Sequence, residues 1–347
     1  WTGALTRAAG NGVGTYAINR GTLNATTSGS YTYVIDYTPG VFTINPAFLT
    51  ITAINQGKTY GDALSLGTTA FSQSGLLAGD SITGVTLASA GAAATANAGN
   101  HAITASGAVG TGLANYSITY NNGTLSVAKA PLTMTAVSGS KVYGTVWGGP
   151  SGAVATFSGF KNGDNVTSNL GISYSGGVAA AAVGTYAITP FLSPGHSILN
   201  NYTVTYVNGA LNVTPAALTI TANARTKTYG DLLTLGTTAF GVSGLKNSDS
   251  VTGVTLASAG AAQTATRGTY AITAADAVGT GLSNYTIAYN NGQLVVNPAA
   301  LTITANARTK TYGDLLTLGT TAFGVVGLKN SDSVTGVTLA SAGAAQT

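Results

Sequence analysis

Residues 216–231 read Ala-Ala-Leu-Thr-Ile-Thr-Ala-Asn-Ala-Arg-Thr-Lys-Thr-Tyr-Gly-Asp, and this stretch decides the fold. Leu218-Thr-Ile-Thr221 alternates apolar residues with threonine at period two, the pattern of a half-buried strand. Thr226 to Tyr229 predicts a second short strand, stopped by Gly230 and Asp231. Working outward, Thr238 to Val242 predicts a third strand, and Leu245 to Ser250 is polar and turn-like, with room for one helical turn. Val251 to Ala257 alternates again, and Thr269 to Thr273 predicts a strand entered through Gly268. Tyr285, Ile287 and Tyr289 share one face, which predicts a core face for these tyrosines. Asn290-Asn291-Gly292 then predicts a type I′ hairpin whose return strand carries Leu294 and Val296.

The same pattern recurs along the chain. Leu-Thr-x-Thr starts at Leu49, Leu132, Leu218 and Leu301, and a Tyr-Gly pair follows each, at Tyr60, Tyr143, Tyr229 and Tyr312. Gly-Thr-Tyr-Ala-Ile begins at Gly14, Gly184 and Gly268, and becomes Gly-Asn-His-Ala-Ile at Gly99. Asn-Tyr-x-x-x-Tyr-x-Asn-Gly runs from Asn115, Asn201 and Asn284, and degrades to Tyr33, Tyr37 and Gly40 in the first copy. These anchors divide the chain into the C-terminal half of a repeat (1–46), three repeats (47–130, 131–215 and 216–298) and the N-terminal half of another (299–347). Residues 217–264 and 300–347 differ at one position, Ser243 against Val326, which points to a recent duplication within a longer array. Repeats of about 84 residues are small domains rather than solenoid coils. They meet at short joints marked by Pro46, Pro131, Pro215 and Pro298, so an elongated rod is expected.

Composition excludes several chemistries. The 347 residues carry 13 Lys or Arg and 9 acids, all nine of them Asp, with no Cys. Disulfide frameworks and cysteine nucleophiles are therefore impossible. The charged share of 6% is far below the roughly 25% of an ordinary domain. Basic residues are scattered singly, as at Lys58, Arg225 and Arg267, so no nucleic-acid footprint is present. No run approaches about 18 apolar residues, so no membrane-spanning helix is expected. With 44% hydrophobic residues, 48 Gly and 56 Thr, the expectation is a mainly β fold, either an Ig-like sandwich or a β-grasp-like unit.

In order, the anchors Leu-Thr-Ile-Thr-Ala, Lys-Thr-Tyr-Gly-Asp, Gly-Leu-x-x-x-Asp, Gly-Thr-Tyr-Ala-Ile, Asn-Tyr-Thr-Ile-x-Tyr-x-Asn-Gly and Val-x-Pro-Ala make a specific set. The chain resembles tandem MBG domains of the Tyr-Gly-x type over essentially its whole length. Such domains recur in large Gram-negative surface proteins of the filamentous haemagglutinin and two-partner secretion kind. The resemblance implies an extracellular protein on the bacterial outer surface whose repeats form a stalk or fibre. It transfers no catalytic or ligand-binding residue. The repeat 131–215 departs from the pattern, with Thr145 where others have Asp62, Asp231 and Asp314, and with extra residues near Trp147 and Pro194.

Few residues qualify for site chemistry. Asp231 with Asp249 (and Asp62 with Asp80, Asp314 with Asp332) is the metal candidate, since calcium takes several carboxylate oxygens. The competing reading makes Asp231 a turn cap and lets Asp249 hold a turn through backbone N–H groups. Trp147, beside Gly148-Gly149-Pro150, is the ligand candidate, as an exposed loop aromatic or as packing against a neighbouring repeat. His101 stands at a tyrosine position, and His196 lies in an inserted loop without a nucleophile motif, so no triad is expected. Asn-x-Ser/Thr triplets at Asn115, Asn201 and Asn284 predict glycosylation only weakly. The expectation is a structural or adhesive stalk with no enzymatic activity and no cofactor. Its expected partners are neighbouring repeats, a host glycan or surface protein, or other copies in a fibre. The alternative is a repeated binding module acting multivalently.

Overall fold

A computed structural model describes residues 1–27 and 29–346. It is built from strands and short 3-10 turns, with no α-helix among the described residues. The segment Leu245 to Asp249 accordingly forms a turn in place of the expected helical turn. Asn247, at φ 53°, interrupts any helical run there.

The repeat 216–298 shows how the alternation becomes two sheets. In the first sheet, Ala216–Ala222 lies between Phe240–Ser243, antiparallel, and Tyr285–Asn290, parallel. The second sheet has the order Arg225–Thr228, Gly292–Asn297, Gly268–Thr280, Ser250–Ala257. The inward residues of both sheets meet in one core, where Leu218, Ile220, Ile272, Leu294 and Val296 are buried. Threonine is the commonest residue at the outward positions, as at Thr221, Thr255 and Thr273, where it tolerates water while keeping a β-branched side chain on the pleat. Repeat 47–130 has the same two sheets, built on Ala47–Ala53 and on Gly123–Ala128.

One expectation fails here. Asn290-Asn291-Gly292 does not close a hairpin, because Tyr285–Asn290 belongs to the first sheet and Gly292–Asn297 to the second. The chain turns a corner between sheets, and neither Asn291 nor Gly292 has positive φ. Glycine is needed for another reason: a Cβ at Gly292 would lie 2.5 Å from the Ala222 carbonyl oxygen. The tyrosine face also thins out along its strand. Tyr285 is buried, whereas Tyr289 is exposed, and its hydroxyl accepts a hydrogen bond from Ala277 N at 3.0 Å.

By contacts the chain divides into two compact units, Trp1–Ala136 with Ala153–Ser173 and Thr189–Asn208, and Val137–Gly152 with Tyr174–Ile188 and Gly209–Thr347. The first unit contains repeat 47–130 together with the three-stranded sheet of the next repeat, in which Ala130–Ala136 pairs with Ala155–Ser158 and Tyr202–Val207. The second contains repeat 216–298 together with the paired strands Gly139–Val142 and Gly209–Thr214. Within each unit a tyrosine of one repeat lies in a core shared with the next, Tyr60 with Leu132 and Tyr202, and Tyr143 with Leu218 and Tyr285.

Candidate functional site: the tyrosine joint

The Tyr-Gly pair sits just beyond the short strand that carries the motif lysine. In repeat 216–298 the Lys227 Nζ donates to the carbonyls of Asp231, at 2.9 Å, and Ala262. Lys141 does the same to Thr145, at 2.9 Å, and Val178, and Lys58 to Asp62, at 2.8 Å, and Ala93. Lys141 and Lys227 are buried without a carboxylate partner among the described residues, and burial lowers the Lys141 pKa from its usual value. Each ammonium thus pins the turn that presents the tyrosine to a neighbouring loop.

In the first unit the presented tyrosine is Tyr60. Its hydroxyl donates to Asp164 Oδ2 at 2.9 Å, and Tyr202 donates to the same oxygen at 2.8 Å. The Tyr202 hydroxyl in turn accepts from Lys161 N at 2.7 Å. The two rings meet edge to face, with centroids 5.4 Å apart. The second unit repeats the arrangement with other residues. Tyr143 and Tyr285 donate to Asp249 Oδ2 at 2.8 and 2.7 Å, and Lys246 N donates to the Tyr285 hydroxyl at 2.7 Å. Those rings are 5.5 Å apart. Burial pushes the hydroxyls of Tyr202 and Tyr285 up to about 12, and the adjacent Asp164 and Asp249 carboxylates add to the shift. A charged oxygen accepting two phenol protons inside an aromatic pair is well matched, since such bonds are stronger than neutral ones.

Asparagines complete the contact. Asn201 Oδ1 accepts from Ala98 N, and Asn284 Oδ1 from Val183 N, both at 2.9 Å. Glycine after each tyrosine is required twice over. Gly61, Gly144 and Gly230 have φ of 91°, 84° and 87°, and a Cβ there would strike the stems of Lys161, Lys246 and Lys329 at 2.4 to 2.5 Å.

The expected site residues fall into this frame in different ways. Asp249 is the carboxylate of a joint, and its side chain takes tyrosine hydroxyls rather than turn N–H groups. Asp231 is exposed in the turn after Gly230 and contributes its backbone carbonyl to Lys227. Asp62 lies 3.9 Å from Lys161 at the surface. No group of three or more His or Asp side chains able to hold a metal comes together among the described residues. Trp147 is half-buried, and its ring meets Tyr174 of its own repeat edge to face at 4.6 Å and lies over Gly139. It lines a shallow cavity of about 270 Å³ with Val146, Tyr174 and Val178. His101 keeps the tyrosine role, bonding the Asn97 carbonyl four residues back as Tyr186 bonds that of Ala182. Asn201 and Asn284 hold joint contacts through their amides, which accounts for these asparagines without a sugar. The joint itself was not foreseen from the sequence, although its parts are the repeated anchors.

Residues 49–126, 132–212 and 218–295 each match the family described as MBG domain (YGX type). No curated protein matches the chain in sequence. Among solved structures, the chain is similar to Drosophila N-cadherin EC1-4 at 9% identity, covering 82% of each chain with a TM-score of 0.21. It is also similar to the I9-I11 tandem of titin at 12% identity, covering 74% of this chain and 98% of that one, with a TM-score of 0.18.

Proposed function

The chain belongs to the MBG domain family, YGX type, and from that premise we propose that it is part of the structural stalk of a large secreted or cell-surface bacterial protein. Its repeats hold a binding region away from the surface and perform no catalysis. The observation that carries this reading is the repeated joint, with two successive contacts built from equivalent residues and hydrogen bonds that agree within about 0.2 Å. A joint made from residues present in each repeat fixes the pose of one domain on the next, as a spacer requires. MBG domains are typical of extracellular surface proteins, and among the described residues no helix is long and apolar enough to cross a membrane.

Small-angle scattering tests the stalk. The chain is expected to give one extended maximum dimension, and Tyr60→Ala with Tyr143→Ala to give a broadened distribution with a shorter mean. A compact, mutation-insensitive particle contradicts the reading. A binding module is the second reading, and the cleft beside Trp147 and Tyr174 supports it as a single site in repeat 131–215, where an aromatic wall suits a sugar ring. Binding on a glycan array that Trp147→Ala abolishes would move the assignment to that reading.

A further inference from the structure

Repeats 47–130 and 216–298 each begin and end in the middle of a sheet. In repeat 47–130 the first strand, Ala47–Ala53, is bonded on one side to Phe71–Ser74 and on the other to Tyr116–Asn121. The last strand, Gly123–Ala128, lies between Gln56–Thr59 and Gly99–Thr111. Repeat 216–298 holds Ala216–Ala222 and Gly292–Asn297 on both sides in the same way. The chain therefore enters and leaves each repeat through a strand with no free edge.

The two ends of a repeat also lie side by side. Ala47 pairs in parallel with Tyr116 and Thr52 with Asn121 in the first sheet, and Gln56 pairs with Leu125 and Thr59 with Ala128 in the second. One register runs through both sheets, since Tyr116 stands as far along the chain from Ala47 as Ala128 does from Thr59. Repeat 216–298 keeps one register as well, from Ala216 opposite Tyr285 to Thr228 opposite Asn297. The first and last segments thus cross from one sheet to the other together. Parallel neighbours that leave the repeat at opposite ends are pulled in opposite directions along their length. Six pairs in one sheet and four in the other then share the load, instead of parting in turn.

Two features oppose the slide. The inner faces of both segments are dry, with Leu49, Ile51, Leu125 and Val127 buried, so water does not replace the ladder bonds as they stretch. At the corner between the sheets, a Cβ at Gly123 would lie 2.5 Å from the Ala53 carbonyl oxygen, as one at Gly292 would from that of Ala222. Tension draws Asn122, or Asn291, toward the place of that glycine, and a side chain passes there only if the corner opens. We propose that these repeats are mechanical clamps, whose first and last segments hold the chain against tension through shear of one continuous parallel ladder. The proposal rests on the stalk reading for the source of the tension, whereas the shear geometry belongs to each repeat alone.

Single-molecule stretching of the full chain tests it. Pulled between its first and last residues, the chain is expected to yield in discrete steps, each releasing on the order of 250 Å, the extended length of about 80 residues less the folded span. The chain has no Cys, so an introduced pair sets a second pulling direction. Ala217 and Thr286 are exposed partners at one end of the ladder in repeat 216–298. Pulled through Ala217→Cys and Thr286→Cys, that repeat opens pair by pair, and its unfolding force is expected to fall several-fold below the end-to-end value at the same pulling speed. Equal forces in the two directions overturn the proposal, and so does an unmodified chain that extends end to end without discrete steps. Step-free extension of a chain that scattering finds elongated removes the clamp and leaves the stalk. Strong, direction-dependent steps from a compact particle do the reverse.

Discussion

The Tyr143 hydroxyl donates to Asp249 Oδ2 at 2.8 Å across 106 residues of chain. It joins the Tyr-Gly turn of one repeat to the polar turn of the next. Tyr60 and Asp164 make the same bond within the other unit, so the contact belongs to the repeat rather than to one pair.

Removing the hydroxyl alone measures that bond. Tyr143→Phe keeps the ring against Tyr285 and leaves Asp249 with one phenol donor. A loss of about 1.5–3 kcal/mol in urea unfolding is expected, in the range of a hydrogen bond to a charged group. Tyr143→Ala also empties a buried site and should cost about 3–5 kcal/mol.

Alkaline pH should loosen the joints before the strands. Tyr202 and Tyr285 hold their protons to about pH 12, against 10.0 in the unfolded chain. Above pH 10 the folded state therefore binds more protons than the unfolded one, and stability falls with rising pH. The contribution is complete below pH 10 and is lost as pH rises through about 12. Absorbance at 295 nm should resolve a late tyrosinate step, and urea midpoints at pH 9 and 11 should differ. Equal midpoints would remove the effect.

Asp231 of the metal candidate and the lysine that its turn holds should behave oppositely. Asp231 acts through its backbone carbonyl, and Thr145 already fills that role for Lys141. Asp231→Thr is therefore expected to change stability by less than about 0.5 kcal/mol, as a surface change does. Lys227→Met strands the carbonyls of Asp231 and Ala262, at a cost of about 1–3 kcal/mol. Thermal unfolding of the two variants, each with and without calcium, reads both. A calcium shift lost with Asp231→Thr would restore the metal reading.

Gly292→Ala separates a sheet-switching corner from a hairpin. The added Cβ would meet the Ala222 carbonyl oxygen at 2.5 Å, so the corner must open. A destabilisation of about 1–3 kcal/mol is expected, as for overpacking. An unchanged midpoint would contradict the corner as described.

Strand positions were legible because alternation is local. Leu218 and Ile220 announce a buried face within four residues, and the structure buries both. The corner at Asn291 was not, since Asn-Gly between apolar runs looks the same whether the second run returns beside the first or crosses to another sheet. Only Gly292's approach to Ala222, 70 residues earlier, decides that. The joint was hidden for a similar reason, as Tyr143 and Asp249 come from different repeats. One signal was available: Tyr60, Tyr143, Tyr229 and Tyr312 recur at a fixed place before Gly, at the end of a short polar strand. The lysines were not legible either, because single scattered basic residues say nothing of burial, whereas Lys141 and Lys227 are buried on carbonyls.

The central claim is that the Tyr-Gly tyrosine and the turn aspartate bind each other across repeats. A double-mutant cycle with Tyr143→Phe and Asp249→Ala, read by urea unfolding of the full chain, tests it most directly. The account predicts a coupling energy of at least about 1 kcal/mol between the two positions. Additive effects, with coupling below about 0.3 kcal/mol, would contradict it.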